Sequence, residues 1–336
     1  MEKVRVAIIG AGWIAQVAHI PVWKKLENVE LVAVCDTIKT RAKAVAEKYK
    51  IPQFLTSDDE LLKRDDIDAV DICVPTNMHE RLTIAALSAR KHVIVEKPMS
   101  RTVEEGEKMI RASRQYKRHL MVAMNVRFRY DAANLKSFID GGEIGEVFYA
   151  KAGWLRRQKK WTEHAWLFQK KFSGGGVLMD LGVQMLDMAL WLLDNAKAKS
   201  VKANIYSNVA RLDVEDTAVA LVHFENGVTL NLEASWTFLR EEDLFYTNLL
   251  GTRGDAQLNP LRVTKEMHGS LVHLTPSKSE TPTNLYKNSY ENELRHFINC
   301  LRDGTPMLSS GEESLERMRL IEAMYESANC GKEVAL

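Results

Sequence analysis

The chain has 336 residues, which at roughly 150 residues per domain suggests two domains. Apolar residues make up 46% and charged residues 27%, an ordinary balance for a globular chain with a full core in each domain. A formal net charge of +1 excludes a strong overall field toward nucleic acid, an anionic membrane or a polyanionic substrate.

The opening stretch lacks the cationic lead, long apolar region and small-residue cleavage site of a secretory signal. No apolar run approaches the roughly 20 residues of a membrane helix. Cys35, Cys73, Cys300 and Cys330 are far apart and form no CxxC pair. A reduced, cytoplasmic protein with no membrane or nucleic-acid partner is the expectation.

In chain order, short apolar runs at 4–9, 30–35, 69–74, 92–95 and 120–124 alternate with helical stretches at 39–49, 58–63, 79–89 and 103–116. Near-continuous apolar strands separated by helices predict a doubly wound parallel sheet over residues 1–124. Pro21 predicts a break in the first helix, with a second piece over 22–26. Asn77, three residues before Glu80, has capping-box spacing. Over 125–336 the pattern changes. Strand-like runs at 146–155, 200–209, 218–224, 228–236, 243–251, 256–259 and 268–275 predict an α+β domain with a large, mostly antiparallel open sheet. Asn226-Gly227 marks a hairpin turn. Helices are expected at 131–141, 180–193, 290–301 and 312–327, the last one packing back on the first domain, and 276–288 reads as a loop.

Gly10-Ala11-Gly12-Trp13-Ile14-Ala15 fits GxGxx(G/A) directly after the first strand. The first glycine makes the tight turn, the second admits a pyrophosphate, and the third small residue lets helix and strand pack. The helix N-terminus then offers unpaired N–H groups to the phosphates. Asp36 ends the second strand, where an acid accepts hydrogen bonds from the adenosine ribose and repels a 2′-phosphate. NAD is therefore the expected cofactor. Lys39 and Arg41 close behind keep NADP open, and the structural alternative for Asp36 is a cap on the next helix.

Further strings extend the pattern: Pro75-Thr76-Asn77-Met78-His79, Glu96-Lys97-Pro98 after a strand, and Gly174-Gly175-Gly176 followed by Asp180, Gly182 and Asp187. With these the chain resembles, nearly end to end, the Gfo/Idh/MocA family of glucose–fructose oxidoreductase and inositol dehydrogenase. The resemblance implies an NAD(P)-dependent dehydrogenase acting on a sugar, polyol or related cyclic compound. It implies that Glu96 and Lys97 line the nicotinamide, with Lys97 the main proton donor and acceptor. It places Pro75, Thr76, Asn77 and His79 along the nicotinamide ribose and Asp180 at the substrate; Asn125, just past a strand end where such sheets bind ligands, is a further cofactor candidate. Where relatives carry a histidine in D-x-G-x-H-x-x-D, this chain has Gln184, which hydrogen-bonds but does not titrate.

Asp180 and Gln184 lie four apart and share a helix face, with Asp187 three beyond as a mainly structural acid. The plainer alternative is that the glycines only allow tight packing at a helix start. Softer substrate candidates are Arg127, Arg156, His164 as a substitute proton carrier, and Trp166 with Trp154 and Trp161 as stacking planes. No metal-ligand spacing is evident. Gln184 motivates two alternatives, an NAD-dependent glycosidase-like enzyme and a cofactor-binding regulator without turnover. An uncovered sheet face suggests a homodimer or homotetramer.

Overall fold

The computed structural model describes residues 3–157, 166–207, 212–277 and 280–336. Trp161 and His164 lie outside the described residues. The chain divides into two compact units, Met1–Asn125 with Lys287–Leu315, and Val126–Tyr286 with Glu316–Leu336.

The first unit is built on a six-stranded sheet ordered β3-β2-β1-β4-β5-β6, all parallel. The strands are β1 (Val4–Ile9), β2 (Val29–Cys35), β3 (Gln53–Leu55), β4 (Ala69–Ile72), β5 (His92–Glu96) and β6 (Leu120–Ala123). Both faces are covered, so β4, β5 and β6 are buried almost throughout rather than alternately. The strand order reverses between β1 and β4, and the crevice outside the carboxyl ends at such a switch point is where these sheets take ligands. The edge strand β3, three residues long and largely exposed, was not expected. The other edge, β6, is closed by the returning segment: Val122 N–H donates to Ser309 O at 3.0 Å and Met121 bridges Ser310.

Two local expectations differ. The helix after the glycine turn is not broken at Pro21. A wide π turn, Ala15–His19, with Ile20 N–H reaching back to Ala15 O, runs directly into the helix Ile20–Lys25, whose first turn holds the proline where no N–H is needed. Asn77 is not a helix cap. It sits in the 3-10 turn Thr76–Met78, and the helix His79–Ser88 starts from Met78 with no side-chain cap.

The second unit carries a nine-stranded sheet: β7 (Val147–Arg157), β8 (Ala198–Tyr206), β9 (Thr217–Phe224), β10 (Thr229–Phe238), β11 (Leu244–Gly251), β12 (Gly254–Leu258), β13 (Arg262–Met267), β14 (Ser270–Leu274) and β15 (Val334–Ala335). Its order is β14-β13-β12-β11-β7-β10-β9-β8-β15, antiparallel except for the β7–β10 pair. Asn226-Gly227 joins β9 to β10, with Gly227 at φ +86°. Burial alternates along β9 and the first half of β10, and Ala234 to Thr237 are buried without a break. The covered face packs on the apolar helix Val183–Leu192, while Lys151, Leu221 and Glu233 look outward. The expected loop at 276–288 is partly helical. Thr281 Oγ1 accepts from Asn284 N–H at 3.3 Å, and Pro282 opens the helix Pro282–Asp303.

Candidate functional site

In the first unit the glycine turn explains itself. Gly10 has φ +100°, and a Cβ there would lie 2.3 Å from Cys73 O, so only glycine fits between β1 and β4. At Gly12 the nearest atom to such a Cβ is 4.0 Å away. The packing therefore does not require this glycine; it leaves an open backbone face, as a pyrophosphate needs. Ala15 is fully buried and lets the helix close on the sheet, whereas Trp13 is 69% exposed and Ile14 half-buried beside it. Asp36, at the end of β2, accepts from Ala11 N–H at 3.0 Å and Ile38 N–H at 2.8 Å, and pairs with Arg41 Nη1 at 3.2 Å. It thus ties the glycine turn to the loop after β2. It leaves the following helix, which starts from Ile38, without a side-chain cap.

Beyond β4, Pro75 and Asn77 are half-buried and Thr76 is buried. Among the described residues Thr76 Oγ1 finds no hydrogen-bond partner. An orphaned, buried hydroxyl in the loop after β4 suits a polar ligand. His79 is a clasp: Nδ1 lies 2.9 Å from Pro98 O and Nε2 2.9 Å from Val74 O, joining the loop after β4 to the one after β5. Burial holds its pKa below the ordinary imidazole value, although both carbonyls pull it up. Lys97 is half-buried, follows β5 directly, and its backbone N–H donates to Glu96 Oε2 at 3.1 Å. Asn125 is buried and donates from Nδ2 to Ser289 Oγ at 2.9 Å, a hydrogen bond within this unit.

His19 was not singled out in the sequence. It is fully buried between Asp71 and Glu96, with Cys73 beside it. The donor atoms of His19, Asp71 and Cys73 lie within 4.8 Å of one another. That donor set would suit a transition metal by type, yet His19 Nδ1 and Asp71 Oδ2 are 2.9 Å apart, a hydrogen bond. The available signal was Asp71, a charge inside the apolar run of β4, which demands a buried partner.

In the second unit Asp180 lies in a π turn, Leu178–Gly182, that feeds the helix Val183–Leu192. π turns of this kind recur at functional sites. Its Oδ2 accepts from Trp236 Nε1 at 3.0 Å, and Gln184 Nε2 donates to its backbone oxygen at 3.3 Å. Both side chains are buried, so Asp180 and Gln184 form one polar spot in an apolar helix. Asp187 is part of a buried ionic cluster. It pairs with Arg127, whose Nε is 2.7 Å from Oδ2, and with Arg317, whose Nε is 3.1 Å from Oδ1. Arg127, offered above as a substrate contact, thus has its guanidinium in the protein interior. Arg156 lies at 4.0 Å from Asp243, and Trp166 is partly exposed at the start of a 3-10 turn.

The glycine run meets the protein's own carboxylate. Glu215 accepts from Gly176 N–H and Leu178 N–H, each at 3.0 Å, and from Tyr325 Oη at 2.7 Å. A Cβ at Gly175 would lie 2.1 Å from Tyr325 Oη, and one at Gly176 2.0 Å from Glu215 O. Burial pushes the Glu215 carboxyl pKa up, against the N–H and phenol donors.

The sequence pattern of the oxidoreductase family with an NAD-binding Rossmann fold (GFO_IDH_MocA) matches residues 4–124, and that of the family's C-terminal alpha/beta domain matches residues 136–336. The chain is 30% identical to a D-glucoside 3-dehydrogenase of Escherichia coli strain K12, covering 100% of this chain and 98% of that protein. It is 26% identical to a myo-inositol 2-dehydrogenase of Thermotoga maritima, covering 99% and 98%. Levoglucosan dehydrogenase, solved in complex with NADH and levoglucosan, shares the fold at a TM-score of 0.91 and 22% identity, with 99% of each chain covered. With both domains matched and a 30% identical relative along its full length, the chain belongs to the Gfo/Idh/MocA oxidoreductase family.

Proposed function

We propose that this oxidoreductase transfers hydride between NAD and a secondary alcohol or ketone of a sugar or polyol, with Lys97 as proton donor and acceptor. The observation that carries the reading is the placement of Lys97 directly after β5, with its backbone anchored on Glu96 and the next residue, Pro98, clasped by His79. The names of the glucoside, inositol and levoglucosan dehydrogenases above support the substrate class. Bound NAD supplies the hydride acceptor, or NADH the donor. In the oxidation direction the alcohol C–H gives up a hydride and its O–H gives up a proton, which Lys97 takes as the neutral amine; the reverse direction returns both. Asp180 and Gln184 orient the substrate hydroxyls, and Gln184, which does not titrate, leaves the proton to Lys97. Asp36 engages the adenosine ribose, and Arg41 beside it tunes the choice between NAD and NADP. We also propose that copies assemble through the outward face of the nine-stranded sheet.

The test is NADH absorbance with a panel of glucosides, inositols and keto-sugars. Turnover is expected in the wild type and about 10³-fold less in Lys97→Met. Full turnover in Lys97→Met would remove the lysine from the reaction. Release of an aryl leaving group without net NADH change would favour the glycosidase-like chemistry. Light scattering of the purified chain tests the assembly.

A further inference from the structure

Asp71 stands inside β4 with no exposure to solvent. A carboxylate there carries a heavy desolvation cost unless it is paired. Its Oδ2 faces His19 Nδ1 at 2.9 Å and accepts from Trp23 Nε1 at 2.7 Å, while Oδ1 accepts from Cys73 Sγ at 3.3 Å. The second ring nitrogen, His19 Nε2, lies 3.0 Å from Glu96 Oε1 at the end of β5. Glu96 Oε2 then accepts the backbone N–H of Lys97 at 3.1 Å. One connected path thus runs from Asp71 through His19 and Glu96 to the Lys97 amide. The groups facing the ring are Asp71 from β4 and Cys73 just beyond it, Glu96 from β5, and Tyr290 from the helix Pro282–Asp303, whose ring centroid is 5.7 Å away, while Trp23 from the helix Ile20–Lys25 reaches Asp71.

A neutral imidazole has one N–H, and its other nitrogen would aim a lone pair at a carboxylate oxygen. Only the imidazolium donates to both acids. Burial alone would push the His19 pKa down, but the charge and hydrogen bond of Asp71 hold it well above the ordinary value. Burial, with Asp71 adding, pushes the Cys73 thiol up, so Cys73 stays an S–H donor.

We propose that His19 is a positioning residue: shared as a cation between Asp71 and Glu96, it fixes the carboxylate on which the Lys97 backbone hangs. Without that cation nothing holds Glu96 beside the ring, and its carboxylate would turn away, releasing the Lys97 N–H. The catalytic meaning of this device rests on Lys97 as the proton carrier; the geometry of the device does not.

Two measurements test it. In wild-type protein labelled with ¹⁵N-histidine, one of the nine imidazoles is expected to stay doubly protonated at a pH where an ordinary imidazole has lost its proton. Finding none would overturn the proposal, and this arm needs no variant. In His19→Gln, hydrogen exchange at the Lys97 amide is expected to quicken at least about tenfold, with amides in β1 unchanged. Unchanged exchange at Lys97 would overturn it. So would one equivalent of zinc or another transition metal in the purified wild type, since a metal ligand would not be an imidazolium. If the lysine assignment fails instead, Lys97→Met keeps full turnover while the exchange effect of His19→Gln persists.

Discussion

Trp236 Nε1 donates to Asp180 Oδ2 at 3.0 Å, so an indole from β10 fixes the acid at the start of the apolar helix. Trp236→Phe removes the donor and, at this buried position, also part of the ring volume. A buried carboxylate losing a hydrogen bond costs about 1–3 kcal/mol. The melting temperature is expected to fall accordingly, and the Michaelis constant for the sugar to rise about tenfold, because Asp180 loses its fixed direction. Thermal unfolding and steady-state kinetics check the two parts.

Gly12, a glycine that packing does not require, and Gly176, one that it does, allow the proposed cofactor contact to be told from packing. Gly12→Ala meets no atom closer than 4.0 Å. It should leave thermal stability nearly unchanged while weakening NAD binding at least tenfold, about 1.4 kcal/mol, because the added methyl occupies the pyrophosphate face. Gly176→Ala would put a Cβ 2.0 Å from Glu215 O. It should destabilise the second unit by about 2 kcal/mol or more and leave cofactor affinity in the first unit near wild type. Calorimetry of unfolding and of NAD binding on both variants tells them apart.

Arg41 pairs with Asp36, 3.2 Å from its Oδ2. Asp36→Ser removes the charge that repels a 2′-phosphate and frees the guanidinium to meet one. The NADP-to-NAD affinity ratio is expected to rise at least about tenfold in Asp36→Ser and to drop back in Asp36→Ser/Arg41→Ala. Fluorescence titration with both reduced cofactors measures this.

His92 titrates in the acid range. Burial first, then the charges of His119 and Arg118, lower its pKa to about 4. Its Nδ1 accepts from His119 N–H at 3.1 Å, a bond that protonation at Nδ1 would break. The folded value lies below the unfolded one, about 6.5, so the unfolded chain binds the proton first. Stability is therefore unaffected above about pH 6.5 and declines as the pH falls toward about 4, by about 2 kcal/mol after discounting for partial exposure. His92→Gln should flatten that acid limb in denaturant titrations run between those two pH values.

The cofactor half was legible because its signals are local. Gly10, Gly12, Ala15 and Asp36 sit within one strand–turn–helix–strand stretch, and continuous apolar runs mark a sheet covered on both faces. The networks behind the site were not legible, because they join residues remote in sequence. Asp71 and His19 are 52 residues apart, Asp180 and Trp236 are 56 apart, and Gly176 and Glu215 are 39 apart. No periodicity links such pairs; only the fold does. Two local signals were open to a closer reading: the charge of Asp71 inside β4, and Thr281-Pro282, which marks a helix start inside the expected loop. Pro21 misled because the π turn before it has no sequence signature of its own.

The edge strand β6 is closed by a part of the chain made much later. Val122 and Ser309 are 187 residues apart, which at about 5–20 residues per second is a delay of about 10–40 s on the ribosome. During that interval a nascent parallel sheet displays unsatisfied backbone groups along Leu120–Ala123. The nucleotide-binding half is thus completed only when the far end of the chain has emerged.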